Sequence, residues 1–336
     1  MIIGAMEGDG EAERELEAWC RITHVLNDLK NARFGLLGHV LECMYDMFVD
    51  PALITKTFGC HIVQLEPHDV YKHYKQEPDK ALLDTMTERI RGFFDTPDPV
   101  SDKITFMLKE EDLVVAARAA IALEKFIDEY NLTGLAYYYE GEANSDLRTL
   151  VTNFCVGNSM LTAAGFPMCG EFDLKTCVAM LIMDRLETGG SFAEFHPMDF
   201  NRDSILVGHD GPHHLNIADR KPVLRSLSKY HGKPGSGAGV EFKIREGPVT
   251  IFGITVNSSG NIKFVIAEGE SIPGPVPPTG NTNTHVYFKP DLKTFLKRWI
   301  AEGPTHHFAL GVGHNGEIIE KLAYVLDIDC VRISQV

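Results

Sequence analysis

The residues best suited to chemistry cluster between Gly170 and His209. Glu171 stands in Gly170-Glu171-Phe172-Asp173-Leu174-Lys175 and Glu194 in Gly190-Ser191-Phe192-Ala193-Glu194-Phe195, while His209 closes the apolar run Ile205-Leu206-Val207-Gly208. An ionisable group at the edge of an apolar element is expensive to bury unless it is paired or ligates an ion. A further candidate pair lies far downstream, in Gly303-Pro304-Thr305-His306-His307-Phe308. Two glutamates and two histidines suit a divalent ion of the manganese, cobalt or zinc kind better than a thiolate-loving one. The other reading stays open at this stage: each Glu salt-bridged, each His a satisfied core residue.

The elements that must position these groups can be read from spacing. Leu174, Cys177, Val178, Leu181, Ile182 and Leu186 recur as on a core-facing helix. Glu171, three residues before Leu174, extends that stripe, so the spacing predicts a carboxylate pointing inward from the first helical turn. In an extended Phe192-Ala193-Glu194-Phe195-His196, Glu194 shares a face with Phe192 and His196; in Ile205 to His209, His209 shares a face with Ile205 and Val207. Asn201-Arg202-Asp203 supplies turn chemistry between the two strands, which predicts a hairpin bringing Glu194 near His209. If the His306-His307 stretch is extended, only one of that pair can join a given cluster.

These motifs together carry a resemblance. Gly-Glu-x-Asp-x-Lys, Gly-x-Ser-Phe-x-Glu, Gly-His after an apolar strand, and a late His-His pair resemble the L-arabinose isomerase family, within the arabinose/fucose isomerase group. Lys30-Asn31-Ala32-Arg33-Phe34-Gly35 also resembles the start of that family's middle domain. The similarity covers essentially the whole chain but only part of a typical member, the usual N-terminal domain being missing. What the resemblance implies is an aldose-ketose isomerase acting through an ene-diol, of the L-arabinose to L-ribulose or D-galactose to D-tagatose type. It places the metal ligands on Glu171, Glu194, His209 and His307, with Glu171 and Glu194 sharing the base and acid roles. The ion it implies is Mn2+, with Co2+ or Mg2+ as alternatives, and the assembly a homo-oligomer, a trimer or hexamer. Met44 and His306 are candidate sugar contacts. Since a neighbouring subunit's N-terminal domain helps close the pocket in that family, a non-catalytic sugar- or metal-binding subunit needing a partner chain is the alternative function. A metal-dependent hydrolase shares only the ligand types.

Composition sets the bounds. The 336 residues suffice for two domains with sizeable cores, and 44% hydrophobic with 24% charged residues is ordinary globular usage. A net charge of -15 argues against nucleic acid, which is bound by surplus Lys and Arg. No apolar run is long enough to cross a bilayer, and the N-terminus leads into acidic residues rather than a signal peptide. The expected partner is a small-molecule sugar, with no nucleic acid and no membrane. Seven scattered cysteines without a Cys-x-x-Cys pair read as reduced core thiols of a cytoplasmic protein.

In chain order, the patterns predict a helix over 11–29, a strand over 33–37 ending at Gly38-His39, which opens another helical stretch, and a strand over 59–65. Helix follows Pro67 with a break at Pro78, then a loop over 95–102, a helix from Glu110 and a strand over 134–139. Alternating strands and helices predict a parallel-sheet α/β (Rossmann-like) domain over 1–165, with ligands at the strands' carboxyl ends, where Gly38, His39, Met44, Tyr45 and Asp46 lie. Residues 166–336 read as an antiparallel, barrel-like domain with helices, as in the resembling family. Strands fall over 240–244, 249–256 and 262–267, helices over 292–300 and 317–325, and a closing strand over 330–333. The glycine-rich 232–239 lacks the ending of a phosphate loop and reads as a turn. Residues 273–278 with 280–283 read as a long loop. His213 and His214 read as exposed, His196 as a strand-end residue that can orient Glu194, and Asn131-Leu132-Thr133 as a chance glycosylation match.

Overall fold

The first helix follows from its caps. The Asp9 carboxylate accepts from the backbone N–H groups of Glu11 and Ala12, so α1 (Gly10–Asn31) starts there, and Ala32 leaves it in extended conformation. A computed structural model describes the chain apart from residues 1, 3, 6, 97–107, 143–144, 211–212, 228–236, 276–280 and 335–336. After α1 come β1 (Arg33–Gly38), α2 (Pro51–Phe58), β2 (His61–Leu65), α3 (Pro67–Tyr74), α4 (Lys80–Phe93), α5 (Glu110–Tyr130), β3 (Gly134–Tyr138), α6 (Asp146–Thr152), α7 (Phe154–Ala163) and β4 (Met168–Cys169).

The four strands form a parallel sheet in the order β2-β1-β3-β4. Both faces are covered, as parallel sheets require. Phe34, Leu36 and Ala136 join Ile22, Val25 and Leu29 of α1 on one side, whereas Leu37, Leu135 and Tyr137 join Leu123 and Phe126 of α5 on the other. The alternation along β1 is thus read directly as two cores. Gly38-His39 does not open a helix. The chain runs on to a single 3-10 turn at Tyr45–Met47, and α2 begins only where Asp50 caps Ala52 and Pro51 takes the first helical position.

The rest contains α8 (Leu174–Arg185), β5 (Gly189–Asp199), β6 (Ser204–Asp210), β7 (Val223–Ser226), β8 (Ala238–Lys243), β9 (Gly247–Val256), β10 (Ile262–Ile272), β11 (Asn281–Tyr287), α9 (Leu292–Ala301), β12 (Phe308–Val312), α10 (Gly316–Leu326) and β13 (Asp329–Ser334). Strands β10-β9-β12-β5-β6-β11 pair antiparallel in sequence around a ring that β11 closes onto β10. Val207, Ile251, Val265 and Phe308 belong to one core cluster, and Phe192, Phe252, Phe264 and Ala309 to a second that includes α8. The chain therefore joins a parallel-sheet α/β region to a closed six-stranded barrel.

Helix α8 is the joint. It packs on β3 and β4 of the first sheet and on β5, β9 and β12 of the barrel, so every residue from Leu174 to Met183 is buried. The expected single core-facing stripe is absent because the helix has a protein surface on two sides. One other expectation changes: Asn281, Thr282 and Asn283 lie in β11 rather than in a loop. Phe308–Val312 forms a strand after the His pair, and α6 and α7 lie where the sequence patterns assign no element. The predicted loop over 97–102 and turn over 232–236 lie outside the described residues, as do 276–278 and 280. Cys20 and Cys43 are exposed, so the reading of all seven cysteines as core thiols fails for those two; all seven are free. Among the described residues no helix is long and apolar enough to cross a membrane.

Candidate metal centre

Glu171 is not on the helix. It precedes the Asp173 cap of α8 and adopts φ +57°, followed by Phe172 at +65°. Two successive left-handed non-glycine residues are each costly, of order 1–3 kcal/mol, and the turn is held by surrounding bonds. Phe172 N–H donates to Tyr137 O at 3.1 Å, at the end of β3, and Asp173 N–H to Gly170 O at 3.3 Å. The carboxylate is inward because of this turn, not because of helical spacing. Burial pushes its pKa up, and the facing His307 and His306 oppose that shift.

His209 and His307 both lie against the Phe192 ring, with centroids 4.3 and 4.4 Å from it and 5.3 Å from each other. Their Nδ1 atoms are both engaged: His209 Nδ1 donates to Asp210 O at 2.8 Å, and His307 Nδ1 to Asp173 Oδ2 at 3.2 Å. A proton fixed on Nδ1 leaves the Nε2 lone pair free. Those Nε2 atoms point at Glu171, His307 Nε2 at 3.5 Å from Oε2 and His209 Nε2 at 3.8 Å from Oε1. Burial, and then His307, hold the His209 pKa well below the ordinary histidine value, so its imidazole is neutral.

Glu194 approaches from β5, its Oε1 3.9 Å from His209 Nε2. Register explains the approach: Glu194 pairs with Gly208, next to His209. The four sequence candidates thus meet through contacts of 3.5–3.9 Å. His306 joins as well. One ligand atom each from Glu171, His306 and His307 lies within 4.8 Å of the others, and the two imidazole centroids are 3.9 Å apart. The condition under which only one of the pair could enter the cluster, an extended stretch, is not met, because the backbone bends at His306 before β12 begins.

The donors fit a divalent ion. Glu171 Oε2, His209 Nε2 and His307 Nε2 are buried without a hydrogen-bond partner among the described residues, and such atoms are costly to leave unmatched. Ligands about 2.1 Å from one octahedral ion lie roughly 3.0–4.2 Å apart, and the three contacts linking Glu194, His209, Glu171 and His307, at 3.5–3.9 Å, fall in that range; the three residues whose ligand atoms all lie within 4.8 Å of one another are Glu171, His306 and His307, without His209 and Glu194. Carboxylate and imidazole suit manganese and its neighbours.

Several supporting residues carried little sequence signal. Asp173 is fully buried, caps α8 and holds His307, its pKa pushed up by burial and brought below the usual carboxylate range mainly by the His307 bond and Lys175. Lys175, buried too, reaches back to the 3-10 turn. Both stood in the Gly-Glu-x-Asp-x-Lys motif, without an indication of their roles. His213 and His214 are buried at 1% and 2%, not exposed. His213 Nε2 accepts from Thr282 N–H at 3.2 Å and His214 Nε2 donates to Asp184 Oδ1 at 3.1 Å. A cavity of about 330 Å3 opens at the carboxyl ends of β1 and β2, walled by Gly38, His39, Met47, Phe48, Gln64 and Phe172 among others. Met44 is half-buried at the 3-10 turn and does not line it.

Comparison with known proteins gives a consistent result. Residues 196–334 match the family model described as L-fucose isomerase, C-terminal domain. The chain is 23% identical over 345 residues to L-arabinose isomerase of Herpetosiphon aurantiacus, covering 100% of this chain and 66% of the relative. It is 24% identical over 341 residues to that of a Nocardioides species, covering 97% and 64%, and 23% identical over 237 residues to that of Escherichia coli K12, covering 67% and 46%. The chain thus spans about two thirds or less of the length of these relatives. The chain is thus similar to the L-arabinose isomerases over nearly its whole length and to the C-terminal domain of L-fucose isomerase over residues 196–334.

Proposed function

We propose that the chain is a metal-dependent aldose-ketose isomerase, of the L-arabinose to L-ribulose or D-galactose to D-tagatose type. Glu171, Glu194, His209 and His307 would hold the ion, Mn2+ ahead of Co2+ or Mg2+. When bound, a divalent ion supplies Lewis-acid stabilisation of the negative charge that develops as a proton leaves the carbon beside the sugar carbonyl. The rest falls to the chain's own groups. One of Glu171 and Glu194 takes the proton from the carbon beside the carbonyl and returns it to the carbonyl carbon, while the other, initially protonated, gives a proton to the carbonyl oxygen and takes one from the neighbouring hydroxyl, so that both end as they began. The Glu171 carboxyl, raised by burial against the opposing pull of His307 and His306, is better suited to holding a proton in passing than a solvated glutamate. His209 and His307, each with Nδ1–H engaged, keep their orientation throughout, and the buried Phe192 ring packed against both keeps water from that side.

The observation that carries this reading is that the Nε2 atoms of His209 and His307, buried and without a hydrogen-bond partner among the described residues, both face the Glu171 carboxylate, with Glu194 3.9 Å from the first. The similarity to proteins named L-arabinose isomerase supports the same chemistry. The test is to incubate the purified protein with Mn2+ and a panel of pentoses and hexoses and to assay ketose. Turnover on at least one aldose, lost with a chelator and recovered with Mn2+, is expected. No turnover on any sugar despite bound Mn2+ would replace it with the alternative of a non-catalytic sugar- or metal-binding protein completed by a partner chain.

A further inference from the structure

The 3-10 turn between β1 and α2 is tied to the candidate centre by a chain of bonds with no role so far. Asp46 Oδ2 accepts twice from His306, from its backbone N–H at 2.9 Å and from Nδ1 at 2.6 Å. On its other side the Asp46 carbonyl accepts from Lys175 Nζ at 2.7 Å, and the same ammonium reaches Phe48 O at 3.4 Å. Thr305 Oγ1 lies 3.5 Å from that Asp46 carbonyl and 3.3 Å from Ile254 O. Lys175 is 1% exposed. A buried ammonium needs acceptors and opposite charge to compensate its lost hydration: the Asp173 and Asp46 carboxylates supply the charge, and the acceptors are main-chain carbonyls of the turn.

We propose that Asp46 is a positioning residue for His306 and that Lys175 anchors Asp46, so that the parallel-sheet region sets one imidazole of the barrel's centre. The physical content is a tautomer. An imidazole in water prefers its proton on Nε2; a carboxylate 2.6 Å from Nδ1 draws it to Nδ1. With Nδ1 engaged, the ring nitrogen left to the group formed by Glu171 and His307 is Nε2, with its lone pair free. The two hydrogen bonds that one carboxylate oxygen accepts from the backbone N–H and the ring of His306 also fix the ring's rotation, and Lys175 prevents the 44–48 segment from carrying that oxygen away. What His306 Nε2 then meets, a sugar hydroxyl, rests on the isomerase reading; its tautomer and orientation do not.

The experiment is a long-range proton-nitrogen spectrum of histidine-labelled, metal-free full-length protein. His306 is expected to show the Nδ1–H pattern. Asp46→Ala should shift it to Nε2–H, and Asp46→Asn should largely restore Nδ1–H because its amide oxygen accepts the same bond. Lys175→Met should speed hydrogen exchange of the 44–48 amides by about tenfold or more, the loss of a charge-assisted bond. A wild-type His306 already protonated on Nε2, or an Asp46→Ala protein with the wild-type pattern, overturns the proposal. These readouts need neither metal nor sugar. Failure of the isomerase reading is seen separately, as absence of ketose from the wild-type protein.

Discussion

Asp173 Oδ2 lies 3.2 Å from His307 Nδ1, and both side chains are wholly enclosed. One carboxylate therefore performs two tasks, since its oxygens also accept from Thr176 N–H at 3.1 Å and Thr176 Oγ1 at 2.7 Å at the head of α8. The tasks separate by substitution. Asp173→Asn keeps an acceptor for the helix but loses the charge that orients and strengthens the imidazole, so Mn2+ affinity should fall 10- to 100-fold with a small change in Tm. Asp173→Ala should weaken metal equally and also lose the cap, about 0.5–2 kcal/mol. Calorimetric titration with Mn2+ beside thermal melts checks both; an Asn variant of unchanged affinity would remove Asp173 from the centre.

Glu194 tests the chemistry rather than the scaffold. Its side chain is 30% exposed and its approach to the centre is through His209 at 3.9 Å, so the fold owes it little. Glu194→Gln is expected to leave Tm within a degree or two and to lower isomerase turnover by about a hundredfold or more, the scale of a lost acid-base group. Turnover that survives in the Gln variant would show that the role assigned to this carboxylate is wrong.

Which features were legible in the sequence follows from whether they are local. The Glu194–His209 approach was, because a hairpin and a turn fix it within sixteen residues. Glu171 was placed correctly in space for the wrong reason: counting back three from Leu174 cannot distinguish a first helical turn from a left-handed bend, and only the Tyr137 carbonyl, supplied by β3, selects the bend. The full burial of α8 was invisible because it results from two sheets meeting on one helix, and closure of the barrel because β10–β11 pairing depends on strands read partly as loop. Asp46 could be named as near the pocket, yet its tie to His306, 260 residues away, has no local trace.

Gly208 offers a test of the barrel's part in the site. A Cβ there would come 1.7 Å from Thr282 O and 2.8 Å from Asn283 Oδ1. The first is backbone in the paired strand β11 and cannot swing aside. Gly208→Ala should therefore force β6 from β11, at about 1–3 kcal/mol or more, and carry His209 with it. Denaturant unfolding should show the loss of stability and titration a loss of Mn2+ affinity. An Ala variant as stable as wild type would contradict the close approach of these strands.

Metal removal should invert an order of stability. Without an ion, Glu171 is a largely buried carboxylate whose Oε2 has no hydrogen-bond partner among the described residues and whose pKa is raised first by burial. A neutral amide of the same shape escapes most of that desolvation cost, so in chelator Glu171→Gln should equal or exceed wild type in unfolding free energy. With Mn2+ at a hundred times its dissociation constant, wild type should gain about 2.7 kcal/mol by mass action, while the variant, with a neutral amide in place of the carboxylate whose Oε1 faces His209 and Oε2 faces His307, gains almost nothing. Urea titrations of both proteins, with chelator and with Mn2+, measure all four values. Equal Mn2+ protection of the two proteins would mean that the ion does not bind at Glu171, and a Gln variant destabilised in chelator would mean that its carboxylate is compensated by the protein alone.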